Sequence, residues 1–316
     1  MRIAILDLGT NTFHCLIVSV SKKGVCKQVF KSKSVVKLGE GAIHKNSIAP
    51  IPFARGVKTI QHYHSILLEH KPEQVFAFAT SAIRSADNGI DFVEAVKVKT
   101  GIEIQVISGD REAELIYLGV RSCVELDENP VLIMDIGGGS TEFIIANHKE
   151  IFWKQSFNIG AARLLEMFKP SDPVTNAEIE SICSFLILTL EPLIENMKRF
   201  SIQRLVGSSG SFDTFAEMIG HRFHDKNVIK NKATYDFSLD EFLALHQVLL
   251  LSKTRTRKKM KGLVKMRVDL IVIASICTEL IVKQFGLSKM TLSKFALKEG
   301  ALMEILSLQN QNRSIL

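Results

Sequence analysis

The chain has 316 residues, 46% of them hydrophobic, enough for substantial cores and longer than most single domains, so two domains are expected. Its 40 Lys+Arg against 33 Asp+Glu give a formal charge of +7, an excess that favours anionic partners without the density of a dedicated nucleic-acid binder; no DNA partner is expected. The five cysteines, Cys15, Cys26, Cys123, Cys183 and Cys277, are odd in number, widely spaced and without any Cys-x-x-Cys or Cys/His pattern, which argues for reduced thiols and against zinc.

The first apolar run meets Asp7 after four residues and has no small-residue cleavage site, so it is not expected to act as a secretion signal. Strands are predicted near 2–8, 13–20 and 25–33, then a helix near 52–69, a strand at Val75–Phe78, a helix near 90–99 and a strand at Ile102–Ile107. Ser108 opens a further helix that continues through Val120, and polar residues 125–130 resemble a linker. A second strand-rich unit begins at Val131, with Ile151–Phe157 as its third strand and helices at 161–168 and 176–199. Leu205-Val206 leads to a loop, Gly207-Ser208-Ser209-Gly210-Ser211. From Leu239 onward the pattern is helical except for a short strand at 290–293. Leu270–Val282, the longest apolar stretch, is shorter than the ~20 residues of a bilayer span and contains Glu279, so a core helix and a cytoplasmic chain with no membrane partner are expected. This apolar third could form a core or a homodimer interface.

The most informative stretch is 131–145, where an apolar strand runs into Asp135, three glycines, Ser140, Thr141 and Glu142 before another apolar strand. Gly137, Gly138 and Gly139 let backbone amides approach anionic oxygens, and Ser140 and Thr141 offer hydroxyl donors. The same order occurs at the N-terminus, where Ile3–Leu6 leads to Asp7-Leu8-Gly9-Thr10-Asn11-Thr12 and then Cys15–Val18. Two such units predict two half-sites facing a cleft. Asp7, Asp135 and Glu142 are hard oxygen ligands suited to a Mg²⁺ that keeps several waters. No Walker lysine motif is present, which argues against a nucleotide P-loop.

Glu112 and Glu114 fall in the first turn of one helix, about 200° apart, so at most one is expected to face a site. Thr80–Arg84 ends a strand with hydroxyls and a guanidinium able to fork a phosphate. His14 reads as a packed histidine, and His62, His64 and His70 as surface helix residues. The basic run Lys253–Lys261 is either a solvated face or a hold on a long polyanion.

Four stretches in order, Asp-Leu-Gly-Thr-Asn-Thr at 7–12, Ala-Thr-Ser-Ala-Ile-Arg at 79–84, Ile-Ser-Gly-Asp-Arg-Glu-Ala at 107–113 and Asp-Ile-Gly-Gly-Gly-Ser-Thr-Glu at 135–142, resemble the Ppx/GppA phosphatases of the actin, Hsp70 and sugar-kinase superfamily, in their short two-domain form. Weaker agreement continues through Gly160–Leu164, Arg267-Val268-Asp269 and Leu297–Gly300. The resemblance implies an α/β fold of two ribonuclease-H-like domains flanking a cleft, residues 1–125 joined by a C-terminal helix 298–316, and 126–297. It implies that Glu112 orients or deprotonates the attacking water and that Asp135 and Glu142 hold Mg²⁺. Gly137–Ser140 would bind phosphate, Arg84 and Asn88 would face the same cleft, and Asp7, Thr10 and Asn11 would form the opposite loop. Gly207, Ser209 and Gly210 stand where the family has a Gly-Gly-Thr-like phosphate loop. The sequence departs from the family at Arg111, where an acid is usual and which adds positive charge near the cleft, and at Ala296, where a glycine is usual.

The expected activity is Mg²⁺-dependent removal of terminal phosphate from inorganic polyphosphate. The competing expectations are 5′-phosphate removal from guanosine pentaphosphate, a kinase-like phosphoryl transferase, and a nonenzymatic alarmone or polyphosphate sensor.

Overall fold

The computed structural model describes residues 1–21, 24–224 and 229–313, so the last three residues of the predicted helix 298–316 lie outside the described residues. The chain forms two compact units, Met1–Leu118 with Leu297–Leu316, and Gly119–Ala296.

The first unit opens with β1 (Arg2–Leu8), β2 (Thr12–Val20) and β3 (Cys26–Val35), an antiparallel meander. It continues with α1 (Pro50–His70), β4 (Gln74–Ala79), the one-turn α2 (Ser81–Arg84), α3 (Gly89–Thr100), β5 (Ile104–Val106) and α4 (Gly109–Arg121). The strands line up as β3-β2-β1-β4-β5, with β4 and β5 parallel to their neighbours. Central β1 buries Ile3–Leu6 completely because both faces of a crossover sheet are covered, and Tyr63 of α1 reaches through the core to donate to the Phe13 carbonyl at 2.8 Å. The predicted strand 102–107 shrinks to three residues at the sheet edge, where only the β4 side offers a ladder.

In the second unit β6 (Val131–Ile136), β7 (Thr141–Ala146) and β8 (Ile151–Phe157) form another antiparallel meander, followed by α5 (Ala161–Phe168), α6 (Asn176–Thr189) and α7 (Glu191–Met197). The single helix predicted over 176–199 breaks at Leu190 because Pro192, in the first turn of α7, lacks the N–H that would continue it. Then come β9 (Arg204–Ser208), α8 (Ser209–Phe223), β10 (Thr234–Phe237), α9 (Leu239–Leu250), α10 (Thr254–Arg257), α11 (Ile271–Gln284) and β11 (Lys289–Ser293). Strand order is β10-β11-β9-β6-β7-β8. Every residue of β6 and β7 is buried, which explains why their sequence is apolar apart from Asp135, Thr141 and Glu142 at the loop end of the hairpin. Apolar Leu270–Val282 becomes α11, packed against α5, α6 and α9, and among the described residues no helix is long and apolar enough to cross a membrane. The closing α12 (Leu297–Arg313) returns to the first unit, against β1, with Glu299 paired to Lys31 of β3 at 3.7 Å.

Candidate active site

The two β-hairpins that open the units have loops of the same construction. In the first, the Gly9 N–H donates to the Thr12 carbonyl at 3.1 Å, and a Cβ on Gly9 would stand 3.0 Å from that oxygen. In the second, Gly137 donates to Ser140 at 3.0 Å, with a Cβ at 2.9 Å. Each loop thus has two central residues, Thr10 and Asn11 or Gly138 and Gly139, and their N–H groups meet no acceptor among the described residues. Ser140's N–H is likewise without an acceptor.

The loop carbonyls, in contrast, are engaged. Thr10 O accepts from Leu38 and Gly39, and Asn11 O from Val36 and Lys37. Gly137 O and Gly138 O accept from the first three amides of α5, Ala161, Ala162 and Arg163, and the Gly139 carbonyl accepts from the buried Arg163 Nε at 3.0 Å. This leaves the second loop with three consecutive amides available to a ligand, two of them on the buried residues Gly139 and Ser140. Buried peptide N–H groups in native proteins are paired, so an anionic ligand is their natural acceptor.

Asp135 and Glu142 sit directly opposite each other across β6 and β7, both buried. Each is fixed by a serine: Ser208 of β9 donates to Asp135 Oδ2 at 2.5 Å, and Ser156 of β8 donates to Glu142 Oε1 at 2.6 Å. Like charges directly opposite on adjacent strands repel, so this pair favours a bound cation. Among the described residues no three His, Cys, Asp or Glu gather as a metal cluster. Two carboxylates fit Mg²⁺, which is commonly held by one or two protein carboxylates, waters and phosphate oxygens. Asp7, the penultimate residue of β1, lies opposite His14, whose Nε2 is 3.2 Å from Thr12 Oγ1.

Predicted catalytic Glu112 is buried in the first turn of α4, with Ser108 as the helix cap through a 3.1 Å bond from the Arg111 N–H to Ser108 Oγ. Arg84, at the end of α2, donates from Nη1 to Glu112 Oε2 at 2.8 Å and to the Ile107 carbonyl at 3.1 Å. Nε and Nη2 of Arg84 make no bond among the described residues, so part of its fork is open to an anion. Nearby in the chain, the buried Ser81 hydroxyl has no hydrogen-bond partner. Glu114 does not compete with Glu112, because Arg111 Nη1 holds it at 3.1 Å.

Several expectations need correction. Asn88 does not present its amide to phosphate: Oδ1 accepts from Ile48 N and Nδ2 donates to Ile48 O, both at 2.9 Å, so the side chain pins the irregular backbone at Ile48. Arg111 adds no unbalanced charge, since its guanidinium lies between Glu114 and Glu304 of α12, which raise its pKa. Gly207 is a packing residue of β9 whose absent Cβ makes room for the Phe212 ring, 2.0 Å from where that atom would be. The predicted loop 207–211 is a strand-to-helix turn: Ser209, at φ +71°, begins α8 in the left-handed region that is costly for a non-glycine.

Sequence reasoning singled out neither Ser208, a member of the loop 207–211, nor Arg267. The Arg267 guanidinium lies over Gly210, so that a Cβ there would be 1.3 Å from Nη2, and Nη1 donates to Thr214 at 2.8 Å. Burial lowers the pKa of Arg267 and the charge of Asp213 opposes that shift. The signal for Arg267 was its place in the weakly matching Arg-Val-Asp stretch.

Two mixed sheets, each opening with an antiparallel hairpin and continuing in parallel strands, define a two-unit protein of the ribonuclease-H-like class. The chain belongs to the Ppx/GppA phosphatase family, whose sequence profile matches residues 16–309. Its sequence is 26% identical to Exopolyphosphatase 1 of Mycobacterium tuberculosis H37Rv over 308 residues, 96% of this chain and 88% of that protein. Exopolyphosphatase 2 of the same organism is 30% identical over 225 residues, 69% of this chain and 70% of that protein. The crystal structure of an exopolyphosphatase from Cytophaga hutchinsonii superposes with a TM-score of 0.94 at 37% identity, covering 97% of this chain and 98% of that one.

Proposed function

We propose that this phosphatase is an exopolyphosphatase that releases the terminal phosphate of inorganic polyphosphate. The observation that carries the reading is the loop at Gly138–Ser140, whose three unpartnered amides adjoin the opposed carboxylates Asp135 and Glu142. Such amides suit the oxygens of a phosphoryl group, on which charge develops as it transfers. Names of relatives in two organisms support polyphosphate as the substrate class.

In this reading Glu112, held by Arg84, orients and takes a proton from the attacking water. The open nitrogens of Arg84 and the amides of Thr10 and Asn11 are further phosphate donors, as is Arg267 over Gly210. Asp135 and Glu142 would hold Mg²⁺, with Asp7 as a candidate outer ligand; when bound, the ion neutralises phosphate charge.

The test measures phosphate release with Mg²⁺ from long-chain polyphosphate and from guanosine pentaphosphate side by side. Release from polyphosphate, falling on the order of 10²–10⁴-fold in Glu112→Gln while polyphosphate binding persists, is expected. Preference for the nucleotide would reassign the substrate, and equal loss of binding and turnover would remove Glu112 from its role.

A further inference from the structure

Between Glu241 and Asp269 the sequence carries eight of the 40 Lys and Arg and no acid, so the rest of the chain holds 32 against 33 acids and the entire positive excess resides in this segment. The segment is not a loose tail. Arg257 is buried at its centre, donating to the carbonyls of Val268 and Ser252 and to Thr254 Oγ1, and paired with Asp172 at 2.9 Å. That removes Arg257 from any surface role. It also turns the other cations outward: Lys253, Arg255, Lys258, Lys259, Lys261 and Lys265 are all exposed, and none is paired with a carboxylate among the described residues.

The course of the segment is set by α8. Met260 and Lys261 line a cavity of about 180 Å³ with Met218, His221 and Arg222, at the far end of that helix. Gly262, at φ +80°, presses against the backbone of Glu217 and Met218, where a Cβ would be 2.7 Å away. Arg267 reaches Gly210 and Thr214 in the first turn. Residues 260–267 therefore run back along α8 for about 12 Å and end at the turn beside Ser208, which holds Asp135.

We propose that this strap is a track for the distal part of a polyphosphate chain whose end lies at the glycine loop, and that it sets the preference for long over short chains. The inference rests on the exopolyphosphatase reading for its substrate. A flexible polyanion neutralised by several fixed cations releases counterions in proportion to the contacts made, so affinity grows with chain length and falls with salt. A phosphate or tripolyphosphate occupying the end site alone reaches few of these cations.

The test compares wild type with Arg255→Gln/Lys258→Gln/Lys259→Gln/Lys261→Gln, all exposed and outside the end site. KM for long-chain polyphosphate should rise at least tenfold, with tripolyphosphate kinetics unchanged within about twofold. The slope of log affinity against log salt should flatten by roughly 2–3, by analogy with single-stranded nucleic acid. Long-chain binding is measured in parallel on the Glu112→Gln background, so that it is read without turnover. Strap-dependent binding in a protein that hydrolyses no polyphosphate would overturn the activity and keep the track. Unchanged long-chain KM and binding, or equal losses on long and short chains, would overturn the track and keep the activity. Single-stranded RNA bound as tightly as polyphosphate through the same four cations would overturn the assignment of the ligand.

Discussion

The two hairpin loops share one hydrogen-bond pattern but are braced by different materials. Gly9–Thr12 leans on the irregular segment Val36–Gly39, whose amides take the Thr10 and Asn11 carbonyls. Gly137–Ser140 leans on the first turn of α5, with Gly160 packed so closely that a Cβ would be 2.5 Å from Gly138 C, Gly139 N and Ser140 N. Around the first loop the corresponding tight neighbour, Gly39, faces side chains: Thr10 Cγ2 at 2.7 Å and Ile43 Cδ1 at 2.8 Å. A backbone brace cannot rotate away, whereas a side-chain brace can. The second loop is therefore the rigid grip, and the first has room to adjust.

The sharpest way to break this contrast is a methyl group on each side. Gly160→Ala should displace the loop amides and reduce kcat/KM by roughly 10²-fold, the scale of a 1 Å misplacement, whereas Gly39→Ala should cost several-fold less. Steady-state kinetics on folded proteins, checked by circular dichroism, decides between them, and equal losses would end the distinction. A smaller effect is expected from Gly210→Ala. There the clash is with the end of the Arg267 side chain, so the arginine should move aside and raise KM by about tenfold, the value of one charge-assisted bond, with kcat less changed.

The smallest effect concerns stability away from both loops. Glu178 accepts from Ser171 and Thr175 in a capping box at the start of α6, and those bonds hold its carboxyl at about 2, led by the Ser171 hydroxyl. Because this is below the ordinary 4.5, the contribution is complete above pH 4.5 and disappears as pH falls towards 2. Glu178→Gln should therefore lose a little stability at pH 7 and progressively less on acidification. Urea unfolding at pH 7 and pH 3.5 checks this, and a gap that widens in acid would refute it.

What was legible in the sequence was local. The doubled order of apolar strand, acid, glycine, hydroxyl and strand is a short continuous apolar run ended by turn chemistry, and both hairpins appear where it is written. Partners distant in the chain were not legible. Arg111 reads as an added positive charge until Glu304, 193 residues on, closes over it. Asn88 reads as a ligand until Ile48 takes both ends of its amide, and Gly207 as a loop glycine until the Phe212 ring fills its face. Four-residue β10 was also missed, because it is an edge strand paired with β11 alone and Asp236 interrupts its apolar residues.

The brace of the second loop has one more consequence, for how the protein assembles. Strands β6, β7 and β8 and the start of α5 occupy one contiguous stretch from Val131 to Leu164, and every bond that orients the three amides is made within it. Contacts between near neighbours in sequence close small loops and cost little chain entropy. The anion grip can thus take shape before β9 and β11 arrive to complete the sheet, and the same stretch is the natural unit to carry into another scaffold.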